Sequence, residues 1–230
     1  MIVLALDTTT RGGSVAVMDD DQLLALLPGD AARTHGERLP GEIARALEAA
    51  SITRDRIDLL AVAAGPGAFT GLRIGLAAMQ GLALALRTPV IGVSALDALA
   101  EQARTHATDR IVPWMDAQRG DVFATIIDVA SGAHLEPPTT AAPAALLSDW
   151  RSHFADRSVT FIGDAVPRDA AAIDASARRA TRRMPESLAP QIGRLARLRA
   201  AQGAGGHPHA LEPIYVRRPD AEIERERNGR

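Results

Sequence analysis

The 230-residue chain has no lysine: all 26 of its basic residues are arginine. That excludes a Walker-type phosphate loop, whose lysine reaches the terminal phosphates, and any Schiff-base or lysine general-base chemistry. Cysteine is absent as well, which removes thiol nucleophiles, cysteine-ligated zinc and disulfides. Aromatic residues make up only 3% of the chain, although 47% is hydrophobic and 45 residues are alanine. A core of this composition is expected to rest on close approach of small side chains. The length suffices for one compact domain or two small ones, each held by its own core. Long apolar runs are missing too. The longest candidate, 72–86, contains Arg73, Gln80 and two internal glycines, short of the roughly 20 apolar residues that span a bilayer. The opening MIVLALD is an apolar run closed by Asp7, expected as a buried strand rather than a leader peptide. The expectation is a soluble, cytoplasmic protein that makes no membrane contact.

Charge is present but uneven. Residues 1–175 carry 14 Arg against 22 acids, whereas residues 176–211 carry seven Arg against Glu186 alone. The basic stretch has two readings: a solvated helix face, or a patch that meets phosphate or an acidic partner through bidentate guanidinium contacts. It has no interleaved aromatic to stack on bases, which argues against direct base reading by Arg178 to Arg199.

Hydrophobic patterning predicts strands at 2–6, 14–18 and 22–27, joined by a Gly12-Gly13 turn and an Asp19-Asp20-Asp21 turn. A helix is predicted over 37–50, with Leu39, Ile43, Ala46 and Leu47 on one stripe. The wholly apolar run 59–64 suits a parallel strand covered on both faces. A helix over 70–86 and a strand over 90–93 follow, then a helix capped by Ser94, with Asp97 three residues on, reaching His106. The order βββαβαβα means a mixed sheet with helices packed on it.

The second half repeats the first in miniature. Asp7, Arg11-Gly12 and Ser14-Val15-Ala16-Val17 are echoed by Asp116, Arg119-Gly120 and Asp121-Val122-Phe123-Ala124. Strands at 122–129 and around Leu135, a helix over 143–154 and a strand over 159–163 complete the repeat. The expected fold class is therefore α/β, two duplicated βββαβα lobes with mixed sheets, resembling the actin-like and Hsp70-like (ASKHA) architecture. The expected boundaries are 1–106 for the first lobe, with partner-binding helices, 107–218 for the second, and a charged, frayed tail at 219–230.

In such proteins the first hairpin holds phosphate, and its counterpart here is Asp7-Thr8-Thr9-Thr10. Two readings stand: hydroxyls and turn amides facing a phosphate, with Asp7 holding metal-bound water, or a strand end satisfied by its own hydroxyls. The segment GPGAFTGLRIGLAAMQGLALAL, 65–86, carries more information. Gly65-Pro66-Gly67 is expected as a tight structural loop, with Thr70 capping the helix that follows. Gly71, Gly75, Ala78 and Gly81 leave a helix face almost without side chains. A glycine inside a helix costs about 0.5–1 kcal/mol, so this face calls for close packing, either within the chain or against a second subunit.

At this segment the sequence closely resembles the TsaB (YeaZ) family of bacteria. The opening ALDTTT, then THGERLP, GPGAFTGLRIGLA, VSALDALA and the closing LEPIYVR agree in order and cover essentially the whole chain. The resemblance implies the actin-like fold and a role as the dimerisation subunit of the tRNA threonylcarbamoyladenosine (t6A) machinery. The related catalytic subunit, TsaD, transfers threonylcarbamoyl from its adenylate to N6 of adenosine 37 in tRNAs reading ANN codons, and holds a metal through an HxxxH pair. Those two positions fall here on Ala95 and Leu99, which cannot coordinate a metal, and none of the six histidines lies four residues from another. The resemblance therefore implies a non-catalytic subunit that binds TsaD as a heterodimer, with the ATPase TsaE as a further partner. It implies ATP use by the wider complex rather than a cofactor of this chain, tRNA contact through the complex, and a homodimer when alone. The expected partner face comprises His35, Leu39, Ile43, Arg73, Ala77 and Gly81.

Other candidates carry less. His35-Gly36-Glu37 has the pattern of a zinc deaminase but lacks the downstream cysteines. His207-Pro208-His209 sits in a glycine-rich loop, and Asp116 and Asp164 sit at predicted strand ends, where closing turns is the simpler role. Two alternatives remain: a small-molecule kinase or ATPase of the actin-like fold, favoured by Asp7 and its threonines, and an RNA-binding module built on Arg178 to Arg199.

Overall fold

The structure is a computed structural model and describes residues 1–216. The charged tail expected at 219–230 lies outside the described residues, as does Arg217 of the closing motif. By packing, the chain divides into two units. The first joins Met1–Gln102 to Pro185–Pro213, and the second is built on Ala103–Met184. The segment from Pro185 thus belongs to the first unit, although it lies within the 107–218 span expected for the second lobe.

In the first unit β1 (Ile2–Asp7) pairs antiparallel with β2 (Ser14–Asp19), and β2 pairs antiparallel with β3 (Gln22–Pro28). On its other side β1 runs parallel to β4 (Leu59–Gly65), and β4 parallel to β5 (Val90–Ser94), giving the order β3-β2-β1-β4-β5. Every residue of β1 and β4 is buried, as expected for central strands covered on both faces. Helices α1 (His35–Ala49) and α2 (Phe69–Leu86) supply one cover, packing Leu39, Ile43, Leu72, Leu76 and Met79 onto Leu4, Leu6, Val15 and Val62. By length and composition α2 would pass for a membrane span, with a mean hydropathy of 1.4. It lies instead against the sheet, with Leu72, Leu76, Met79 and Ala83 buried.

The other cover includes α7 (Ala189–Ala201), whose Gly193 sits where a Cβ would lie 2.6 Å from Met18 Sδ and 3.2 Å from Ala5 Cβ. The Ala189 amide donates to the buried Ser14 hydroxyl at 3.1 Å, fixing the start of α7 to β2. These contacts are why the chain after Pro185 returns to the first unit.

The second unit has the same topology. β6 (Arg110–Asp116) pairs antiparallel with β7 (Val122–Asp128), β7 with β8 (His134–Ala141), and β6 runs parallel to β9 (Val159–Ile162). A fifth strand, β10 (Ala180–Arg183), lies parallel to β9, so the order β10-β9-β6-β7-β8 matches the first sheet strand for strand. The helix expected over 143–154 is two, α4 (Pro143–Asp149) and α5 (Arg151–Phe154), broken at Trp150; α6 (Ala170–Ser176) follows β9.

The two cores differ in material. The first unit is aliphatic, and its one aromatic residue, Phe69, is 41% exposed. In the second, Trp114, Trp150, Phe154 and Phe161 pack edge to face with ring centroids 5.6–6.4 Å apart, and the Trp114 indole N–H donates to Asp169 at 2.8 Å. The expectation of a core of small residues is met only in part: the first core is aliphatic, with Leu, Ile and Val outnumbering Ala, and the scarce aromatics are concentrated in the second.

Candidate functional site

The loop after β1 shows how the threonines are bonded within the chain. The Asp7 carboxylate is 1% exposed and accepts from the Thr9 amide at 2.8 Å, the Thr9 hydroxyl at 2.6 Å and the Thr10 hydroxyl at 2.5 Å. The Thr10 oxygen in turn accepts from the Gly13 amide at 3.2 Å. These bonds close the loop on itself, leaving Asp7 engaged by its own neighbours rather than presented to a metal-bound water. Thr8 is fully buried under α2, and its hydroxyl has no partner among the described residues. Asp7→Asn keeps one acceptor oxygen but loses the charge-assisted bonds, so a cost of about 1–2 kcal/mol is expected in urea unfolding.

The glycines after β4 serve this loop. Gly65 has φ 115°, and a Cβ on Gly67 would lie 2.5 Å from Thr9 Cβ and 2.8 Å from the Thr9 carbonyl oxygen. A Cβ on Gly71 would lie 2.4 Å from the Thr8 carbonyl oxygen, and one on Gly75 2.1 Å from the Thr8 hydroxyl. The glycine stripe of α2 is therefore split. Gly71 and Gly75 pack within the chain, on the β1–β2 loop, whereas Gly81 has open space around it. Thr70 is not the cap: α2 starts one residue earlier, at Phe69, with Ala68 at the N-cap position and its amide donating to the Thr9 carbonyl at 3.3 Å.

Helix α1 begins at His35 rather than at Glu37, because Thr34 and Glu37 cap it. The Glu37 carboxylate accepts from the Thr34 amide at 3.1 Å and its hydroxyl at 2.8 Å, which holds the acid below its ordinary pKa. One turn on lies a buried ion pair that patterning did not single out. Arg38 and Glu42 are 4% and 3% exposed, and Arg38 Nη1 donates to both Glu42 oxygens at 2.7 and 2.6 Å. The signal available was an Arg and a Glu at i, i+4, each immediately preceding a core position, Leu39 or Ile43.

The residues expected on a partner face divide by exposure. Leu39 and Ile43 are 3% and 9% exposed, so they belong to the core: their stripe of α1 faces the sheet. His35 is half-buried against the β1–β2 loop, whereas Arg73, Ala77 and Gly81 are exposed along the outer side of α2. Exposed Phe69 and Leu84 extend that stripe, and the Arg73 guanidinium stacks on the Phe69 ring 3.9 Å from its centroid. Between α1 and α2 runs an apolar groove of about 400 Å³, whose walls include Pro40 and Ala44 of α1 and Ile74, Ala78 and Leu82 of α2.

Helix α3 (Ala95–Ala103) carries Ala95 and Leu99 at 0% and 1% exposure as core residues. At its start the Asp97 amide donates to the Ser94 hydroxyl at 3.3 Å, in line with the capping role expected of Ser94. Among the described residues no three metal-ligating side chains come together. His207 and His209 stack with ring centroids 5.0 Å apart, and the His209 amide donates to His207 Nδ1.

In the second unit, Asp164 accepts from the Asp116 amide at 2.9 Å, and Asp116 accepts from the Gln118 amide at 3.2 Å and Arg168 at 2.8 Å. Both acids close turns. The basic stretch straddles the two units, and its α7 members are tied down. Arg197 grips Asp21 at 2.6–2.7 Å, Arg194 reaches Glu101 at 3.5 Å, and Arg199 donates to the Gly92 carbonyl and to Asp97. These arginines fasten α7 to the first sheet's hairpin and to α3.

Duplicated mixed sheets of one topology, with closely packed glycine-bearing turns, define the class as a duplicated α/β protein of actin-like architecture. Comparison with known proteins narrows it. Residues 25–224 match the family described as TsaD, tRNA N6-adenosine threonylcarbamoyltransferase. The tRNA threonylcarbamoyladenosine biosynthesis protein TsaB of Escherichia coli is 38% identical over 127 residues, 54% of this chain and 53% of that protein, so this match spans about half of the relative's length. The Bacillus subtilis TsaB is 30% identical over 165 residues, 71% of each chain. The structure of YeaZ from Pseudomonas aeruginosa superposes with a TM-score of 0.74 at 28% identity, covering 93% of this chain and 99% of that one. The chain belongs to the TsaB (YeaZ) family of tRNA threonylcarbamoyladenosine biosynthesis proteins.

Proposed function

We propose that this chain is the non-catalytic accessory subunit of the tRNA adenosine-37 threonylcarbamoyltransferase, and that it supports TsaD by docking it on α1 and α2. The observation that carries the reading is the apolar groove between these helices, flanked by the exposed α2 stripe from Phe69 to Leu84. Such a surface is costly to leave in water and suits a partner's helices. Without TsaD the same face pairs with a second copy, an isologous homodimer. TsaE joins as a further partner and supplies ATP turnover, tRNA is engaged through the complex, and the assembly works in the cytoplasm. With buried Ala95 and Leu99 where the catalytic relative's histidines fall, this chain contributes no metal site of its own to the transfer.

Reconstitution tests this. TsaD, TsaE, tRNA, ATP and threonylcarbamoyl-adenylate are combined with and without this chain. Modified tRNA is expected to fall at least tenfold on omission, and an unchanged yield overturns the proposal. Calorimetry of the isolated chain with ATP and magnesium addresses the kinase alternative. With Asp7 consumed by its own loop, no turnover is expected.

A further inference from the structure

The buried pair Arg38–Glu42 plays no part in a non-catalytic docking face as described, and its surroundings are unusual. Arg38 Nη2 donates to the Gly12 carbonyl and to His35 Nδ1, the latter at 2.8 Å. The guanidinium lies over the chain after β3: a Cβ on Gly29 would sit 1.9 Å from Arg38 Nη1 and 2.1 Å from the Gly12 carbonyl oxygen. The His35 ring fills the space beside two further glycines. A Cβ on Gly13 would approach it to 3.0 Å, and one on Gly71, in the first turn of α2, to 3.1 Å. Because a guanidinium only donates, Nδ1 accepts and the imidazole is neutral, with the Thr10 backbone taking its other hydrogen bond. Two side chains of α1, His35 and Arg38, therefore touch the β1–β2 turn, the exit of β3 and the start of α2, and Glu42 holds Arg38 in place.

Stability alone does not account for this choice. Arg38 Nε is buried with no acceptor among the described residues, and a buried ion pair is often no more stable than apolar residues of the same volume, whereas it fixes one arrangement. We infer that His35, Arg38 and Glu42 form a positioning cluster that locks the first turns of α1 and α2 to the β1–β2 loop and so sets the geometry of the docking face. The inference rests on the docking role proposed above. Arg38 is the hub, Glu42 holds its charge, and His35 carries the constraint across to α2.

The charges facing His35 are Arg38 and Glu42 on α1 and Asp7 on β1; α2 presents Gly71 there. Burial first, and then the Arg38 charge, lower the His35 pKa below its ordinary 6.5. The neutral ring is thus the form the fold selects. The lock is present above that lowered pKa and is lost as pH falls through it, since protonation removes the Nδ1 acceptor and sets two cations side by side.

Amide hydrogen exchange on the full chain and TsaD affinity by calorimetry test the inference. Arg38→Met/Glu42→Met removes both charges and keeps the volume. It is expected to raise exchange at least tenfold at 39–43 and 72–75 together, leave β4 protected, and weaken TsaD at least tenfold. In the wild type, protection at the same two segments is expected to fall below the His35 pKa, and His35→Gln, which does not titrate, flattens that profile. The pH arm needs no folded double variant. Unchanged exchange at both segments, or unchanged TsaD affinity in a variant whose exchange has moved, overturns the inference. Wild-type protein that fails to bind TsaD overturns the docking role instead, and the exchange arm still decides whether the cluster locks the two helices.

Discussion

Gly71→Ala is expected to destabilise the first unit by about 2–3 kcal/mol, whereas Gly81→Ala in the same helix is expected to stabilise it by up to about 1 kcal/mol. Intrinsic propensity favours alanine at both positions by about 1 kcal/mol, so the difference must come from what a Cβ meets. At Gly81 it meets nothing within 4 Å, and the propensity gain stands alone. At Gly71 it meets the Thr8 carbonyl oxygen at 2.4 Å and the His35 ring at 3.1 Å. The first of these is backbone, held by the Asp7 hydrogen bonds one residue away, and cannot rotate aside. Helix α2 must lift from the β1–β2 loop, and overpacking of that kind costs about 1–3 kcal/mol or more. Gly75 is the intermediate case: its Cβ would meet a Thr8 hydroxyl at 2.1 Å, but a hydroxyl without a partner has a rotamer to spare. Urea unfolding of the three alanine variants checks the order Gly71, Gly75, Gly81 from most to least damaging. Equal effects at Gly71 and Gly81 would mean that α2 does not rest on Thr8.

That contrast marks where sequence reasoning stops. The composition of 65–86 announced close packing, but a row of glycines does not say which neighbour fills the space. Only the register of α2 over Thr8 separates Gly71 and Gly75, used within the chain, from Gly81, left open. Strands β1 to β5 were legible because central parallel strands read as unbroken apolar runs and the hairpins carry turn residues. Strand β10, Ala-Thr-Arg-Arg, was not: four residues at a sheet edge have neither an apolar run nor a buried face to pattern them. The same basic composition hid the crossing from the second unit back to the first near Pro185. The arginines of α7 read as a single patch with those around β10, although Asp21, Glu101 and Asp97 hold them on the first sheet. Leu39 and Ile43 show the complementary limit. Periodicity identified their stripe correctly but gave no sign whether it faced the sheet or a partner.

With Leu39 and Ile43 assigned to the core, the docking role falls on the α1 wall of the groove at Pro40 and Ala44 and on the outer side of α2, and Ala77→Asp is its sharpest test. Ala77 is exposed in the single chain, so an aspartate there stays hydrated in the dissociated monomer, and monomer unfolding is expected to shift by less than about 0.5 kcal/mol. Buried in a complex, the same carboxylate loses its water, and Arg73 one turn back, stacked on Phe69, offsets only part of that cost. The penalty is about 3 kcal/mol or more, which corresponds to roughly two orders of magnitude in affinity. Gly81→Leu approaches the same surface by volume rather than charge: a side chain pointing into open space is free in the monomer and intrudes into a closely fitted interface. Both substitutions are expected to weaken TsaD binding about a hundredfold, to leave the isolated chain monomeric by light scattering, and to lower reconstituted tRNA modification in parallel. The two readouts separate the surfaces in use. Loss of the homodimer with TsaD binding intact would place self-association on α2 and TsaD elsewhere. Full retention of both would remove α2 from either interface and leave its apolar outer stripe without a role in assembly.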